Sequence, residues 1–137
     1  MTRIRRTAAL AALTLAVTGP ALSAQAATSN NWKTLATISG GKIEACKAPT
    51  TTDGPWKIKL RVDATQARGR VSGIGTIQKN GKDTKDTWSS GYITRGHVSK
   101  IGKVLLPRDP KFTLSAGIGT GAMGNGGIFK AGDIKPC

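Results

Sequence analysis

The stretch 54-GPWKIKLRVDA-64 alternates without a break: Trp56, Ile58, Leu60 and Val62 fall on one side, and Lys57, Lys59, Arg61 and Asp63 on the other. Successive side chains of a β-strand point to opposite faces, so a period of two marks a strand that buries one face and wets the other. Gly54 and Pro55 break the chain just before it, as residues with special backbone geometry do at turns. One face of this strand requires a core. The other carries Lys57, Lys59 and Arg61 in succession.

Working outward, the period of two recurs and helical periodicity does not. WKTLATIS (32–39) and KIEACK (42–47) read as strands around Gly40-Gly41, and PTTTDGP (49–55) as a turn-rich connector. Further strands are expected at RVSGIGTIQ (70–78), TWSSGYIT (87–94), KIGKVLLP (100–107), KFTLSAGI (111–118) and IFKAGDI (128–134). Asn80-Gly81 is a strong signal for a tight hairpin, because both central residues of a type I′ turn need positive φ. About seven or eight short strands at this spacing predict an all-β domain, an antiparallel β-sandwich or small barrel.

Folding 56–65 back on 70–78 through Ala67-Arg68 sets Ile58 against Ile77, Leu60 against Gly75, Val62 against Gly73 and Ala64 against Val71. Every pair on that face is apolar or glycine, as a buried face demands. The Asn80-Gly81 turn would then bring the Trp88 indole into the room beside Gly73. The same register predicts that Lys57, Lys59 and Arg61 share an outer face with Thr76, Gln78 and Lys85. The 3 tryptophans are expected to anchor the core, with Trp32 the one most free to be exposed.

Residues 1–27 read as a leader. MTRIRR is a short basic segment, TAALAALTLAV is an apolar run broken by Gly19-Pro20, and ALSAQAA carries small residues at peptidase spacing. The apolar run is too short to cross a bilayer core of about 30 Å as a helix. Cleavage is expected after Ala26 or Ala27, leaving 28–137 as one secreted domain with no transmembrane segment. Three of the 21 basic residues lie in the leader and none of the 7 acidic ones, so cleavage lowers the formal charge from +14 to +11. Among the remaining basic residues are 13 lysines and 5 arginines. Lysine is a hydrated point charge, whereas arginine supplies the planar fork used in bidentate recognition. The balance suits diffuse attraction to an anionic polymer, and not sequence-specific readout of nucleic acid.

The two cysteines, Cys46 and Cys137, are expected to form one disulfide in an exported chain. It would tie down the C-terminus and close a loop of about 90 residues, which the chain-entropy model values at roughly 4–5 kcal/mol. Cys46 followed by Trp56 resembles the immunoglobulin pattern in those two residues alone. Cys137 departs from that pattern as the last residue, so the resemblance implies only the general sandwich architecture.

Catalytic equipment is sparse. GTGAMG (119–124) matches GxGxxG, but a nucleotide site needs a helix after the glycines and an acidic residue about 20 positions on. The following NGGIFKAGDIKPC is not helical, so a tightly turned or mobile glycine loop is expected and no nucleotide cofactor. His97 is the only histidine, which leaves no multi-histidine metal site. No serine lies in GxSxG, and Glu44 and the six aspartates are dispersed. No catalytic or metal-ligating set is expected, and the protein reads as a non-enzyme without cofactors.

The functional expectation is therefore a secreted module that binds an anionic cell-wall or polysaccharide polymer, or an acidic protein. Lys57, Lys59, Arg61 and Lys85 are its candidate binding residues. Two other classes fit the same composition: a cationic antibacterial or toxin-like effector, and an enzyme inhibitor presenting a rigid loop.

Overall fold

A computed structural model describes residues 31–137 and resolves the alternating stretches into eight strands. They are β1 (Lys33–Ile38), β2 (Gly41–Pro49), β3 (Trp56–Asp63), β4 (Val71–Lys79), β5 (Lys82–Ile93), β6 (Gly102–Leu106), β7 (Phe112–Gly119) and β8 (Gly124–Phe129). Two antiparallel four-stranded sheets form, ordered β1-β2-β3-β6 and β5-β4-β7-β8, and they pack as a small β-sandwich. The leader expected at 1–27 lies outside the described residues. Among those residues, no helix is long and apolar enough to cross a membrane.

The alternation of 54–64 sets the core as expected. Ile58, Leu60 and Val62 are fully buried, and they meet Ile43, Ala45, Val104 and Leu106 of their own sheet and Val71, Ile77, Leu114, Ala116 and Ile118 of the other. The core is aliphatic. Trp56 and Trp88 only border it, so the tryptophans are not its anchors.

The expected hairpin between 56–65 and 70–78 does not form. β3 is hydrogen-bonded on one side to β2 and on the other to β6, which leaves it no free edge for β4. The connector 64–70 instead crosses to the second sheet over the β1–β2 turn. Its course is fixed there by the Arg68 amide donating to the Ser39 carbonyl at 2.8 Å, and Ala64 and Ala67 are buried beneath it. The paired residues meet all the same, across the core. A Cβ on Gly73 would fall 2.4 Å from Val62 Cγ2, and one on Gly75 would fall 2.6 Å from Leu60 Cδ1. The two glycines of β4 are the recesses into which the opposite sheet inserts Val62 and Leu60.

That insertion leaves no room for Trp88 beside Gly73. Trp88 pairs with Gly75 in the β4–β5 ladder and lies across Gly102 of β6, where a Cβ would be 1.9 Å from the ring. The indole thus closes the sandwich edge between β5 and β6. The Asp86 carboxylate assists by accepting the Leu105 amide at 2.6 Å.

The Asn80-Gly81 turn is present, with φ of 51° and 76°. The first hairpin turns at Ser39-Gly40 (φ 47° and 82°), one residue earlier than expected. The last strand begins at Gly124 and not at residue 128, because the glycine-rich stretch itself forms the β7–β8 hairpin.

Cys46 and Cys137 form the expected disulfide. Residues 135–137 run beside β2: Lys47 donates its amide to the Lys135 carbonyl and accepts from the Cys137 amide, both at 2.9 Å. The bond lies on the outer side of the first sheet, since Cys46 pairs with outward-facing Lys59. An immunoglobulin disulfide joins the two sheets through the core, and its second and third strands lie in different sheets. Here β2 and β3 pair along their length. The likeness to that family ends at the sandwich.

Candidate functional site

The outer face of the first sheet is built by the polar half of β3. Lys57, Lys59 and Arg61 are half-buried along their stems and project away from the core, as alternation requires. β6 lies beside them with Lys103 directly opposite Lys59 and Leu105 opposite Lys57. β2 contributes Glu44 opposite Arg61 and Lys42 opposite Asp63.

Arg61 is not a free cation. Its Nε and Nη2 each donate to Glu44 Oε2 at 2.8 Å, and its guanidinium stacks on the Trp32 ring at 4.4 Å. Glu44 is 7% exposed. A buried carboxylate needs a fixed partner, and Arg61 is that partner; its role is to hold this end of the sheet together. Trp32 is accordingly half-buried under the guanidinium and not exposed.

Asp63 also has a structural role. The Thr65 hydroxyl donates to its Oδ1 at 2.6 Å and the Thr65 amide at 2.9 Å. The hydroxyl bond, with the amide, Lys42 and Arg61 acting the same way, holds the carboxyl below its ordinary value against a smaller opposing effect of partial burial. Lys42 Nζ stands 3.9 Å from Asp63 Oδ2.

Three cations remain: Lys57, Lys59 and Lys103. The ion pairs among the described residues are Lys42–Asp63 and Arg61–Glu44, so none of the three lysines has a carboxylate partner there. Same-face residues of a strand stand about 6.7 Å apart and neighbouring strands about 4.8 Å. The lysines thus form a compact triangle, with Lys59 and Lys103 as a like-charged cross-strand pair, an arrangement that destabilises a sheet.

Lys85 does not join them. It is exposed on β5, in the other sheet, where Thr76 and Gln78 of β4 are half-buried. The shared face expected for these residues depended on β3 pairing with β4, which the topology replaces with β6. Lys103 takes the place assigned to Lys85. Its outward direction is legible in KIGKVLLP, where it precedes buried Val104 and flanks the same alternation. Its neighbour is not, because no local signal ties β6 to β3.

The other motifs resolve into structure. GTGAMG joins two strands through a turn with Gly121 at φ 93° and a Thr120 amide–Met123 carbonyl bond of 2.9 Å. The segment that follows it is strand β8 and not a helix. His97 is exposed in a turn, its Nδ1 3.1 Å from both Thr94 Oγ1 and the Arg95 carbonyl. Besides Glu44, Asp63 and Asp86, the Asp83 carboxylate accepts from Gln78, Asp109 from the Lys111 amide and Asp133 from the Lys130 amide. Six of the 7 acidic groups are thus engaged in holding the fold.

The outer face of the second sheet has a different character. A shallow groove of about 620 Å³ runs over β4, β7 and β8, lined by glycine, serine and isoleucine with Ala116 and Asn125, and by no charged side chain. Composition alone marked GIGTGAMGNGG as a loop, which hid this surface.

No protein-family model, curated protein or solved structure matches the chain.

Proposed function

We propose that the protein is an exported, non-catalytic binding module whose basic sheet face holds an anionic extracellular polymer, carboxylated or phosphorylated along its length. The observation that carries this reading is the triangle of Lys57, Lys59 and Lys103, three cations without a carboxylate partner among the described residues. A polymer with closely spaced anions relieves the Lys59–Lys103 repulsion, and each contact is worth more when the charges act together than alone. The lysines suit this role because they offer mobile point charges with no demand for one fixed geometry.

Two further features support the reading. Six of the seven carboxylates are committed to backbone amides or neighbouring side chains, which leaves little for acid–base work. Export is supported by the leader-like residues 1–27 and by a disulfide, which persists in oxidising compartments.

The test is retention on an immobilised polyuronate. Wild type is expected to bind at low salt and release as salt rises, while the Lys57→Gln, Lys59→Gln, Lys103→Gln triple variant passes through. Unchanged retention of that variant would remove the basic face from the account. Arg61 is left intact, since its loss would strand Glu44 and confuse folding with binding.

A further inference from the structure

The outer face of the second sheet differs from the lysine face: its charges, Asp83 and Lys85 on β5 and Arg70 over the Tyr92 ring, stand towards one edge. Three successive rows across β5, β4, β7 and β8 hold only serine, threonine, tyrosine, isoleucine and glycine. Within them Gly117, Gly119, Gly124 and Gly126 form a two-by-two block of bare backbone. Ile74 stands beside this block and Ile128 at its corner, 54% and 64% exposed. Two apolar knobs thus border one flat recess.

We infer that this face is the contact surface for a second copy of the chain, in a two-fold, back-to-back dimer. Three observations select that occupant. The first is charge. The domain 28–137, of formal charge +11, repels its own copies, and the residues of these rows are themselves uncharged. An acidic partner is drawn instead to the lysines and gains nothing from an uncharged surface. The second is shape. A two-fold contact places the same patch on both sides, so each feature must fit one on the same surface. An axis lying in the interface along β7 sets Ile74 of each copy over Gly126 of the other, knob into recess. The third is size. Three rows by four strands cover about 400 Å², near half of the roughly 800 Å² per partner in a standard interface. That area fits a weak, reversible dimer.

The dimer leaves the two lysine faces pointing outward on opposite sides. It would give the binding proposed above two attachment points, but it stands or falls by its own measurement.

Sedimentation equilibrium of the purified residues 28–137, which hold β1 to β8 and the disulfide, tests it. The mass is expected to rise from monomer at about 10 µM towards dimer at about 1 mM, the range of a small interface. Added salt should strengthen the association, because it screens the repulsion between copies. Gly124→Leu fills the recess, and its Cβ meets nothing closer than the Ile118 carbonyl at 3.8 Å. Ile128→Lys places a charge on an exposed knob. Both variants should keep the wild-type melting temperature and remain monomeric throughout. A wild type that stays monomeric at the highest concentration overturns the inference. So does dimerisation of both variants at wild-type strength. An association that weakens as salt rises would equally contradict it, by showing that charge and not the neutral face holds the copies together.

Discussion

At Gly75 the fold depends on a missing methyl. A Cβ there would stand 2.6 Å from Leu60 Cδ1, so Gly75→Ala should cost about 1–3 kcal/mol by overpacking. Leu60→Ala alone should cost about 2–5 kcal/mol by leaving a cavity. Combined, the two should cost clearly less than their sum, because the new methyl occupies space that Leu60 vacates. Urea unfolding of the four proteins measures the coupling, and strict additivity would mean that these residues do not meet. The pairing of Leu60 with Gly75 was legible in the sequence, since alternation reports which residues share a face. Which partner that face meets was not legible. Complementary bulk reads the same whether two strands are neighbours in one sheet or opposed across a core. Asp63 gives a second residue-scale expectation. Its carboxyl is held below the ordinary value chiefly by the Thr65 hydroxyl. A depressed native value stabilises the fold above the unfolded carboxylate value of about 3.9, and that stabilisation fades as pH falls through the native one. Asp63→Asn should therefore lower the melting temperature at pH 7 and converge on wild type once the pH has fallen below the depressed native value. A gap that persists in acid would show that the charge is not what matters there.

Among the elements, the strands themselves were written plainly. β2, β3, β4 and β7 fall within two residues of the alternating stretches at either end. Strand bounds are hidden where composition masks periodicity. β8 opens with GNGG, which reads as loop because glycine has no apolar–polar contrast to alternate. β5 starts at Lys82, before the expected residue 87, since KDTKD shows no apolar face. The candidate site suffered in the same way: Lys57 and Lys59 were found from one strand, whereas Lys103 required knowing that β6 docks on β3. Arg61 reads as a binding residue because a sequence shows a charge but not its partner across a ladder. The C-terminal segment depends on a covalent tie. Residues 135–137 make two backbone bonds to Lys47 and carry the disulfide partner of Cys46. Reduction, or Cys46→Ser with Cys137→Ser, should cost about 2–5 kcal/mol, the range for a native disulfide in a small secreted domain. The denaturant midpoint in the presence and absence of reductant checks this. An unchanged midpoint would show that the pairing of 135–137 with β2 suffices without the bond.

The whole molecule is a sandwich with two unlike outer faces. One carries three lysines without a carboxylate partner among the described residues, beside a neutralised arginine. The other holds a glycine-floored groove with no charged side chain in its lining. The sequence disclosed the size of the positive surplus but not its distribution, because the topology decides which strands become neighbours. If binding arises from the surplus alone, any three lysines are equivalent. If it arises from the face, position decides. The most direct measurement compares two variants of equal charge on a polyuronate column: Lys57→Gln, Lys59→Gln, Lys103→Gln, and Lys79→Gln, Lys82→Gln, Lys85→Gln around the β4–β5 turn. The face variant is expected to elute at markedly lower salt than wild type, with the turn variant close to wild type. Equal elution of the two variants would contradict the account, by showing that net charge and not the β3–β6 face holds the polymer.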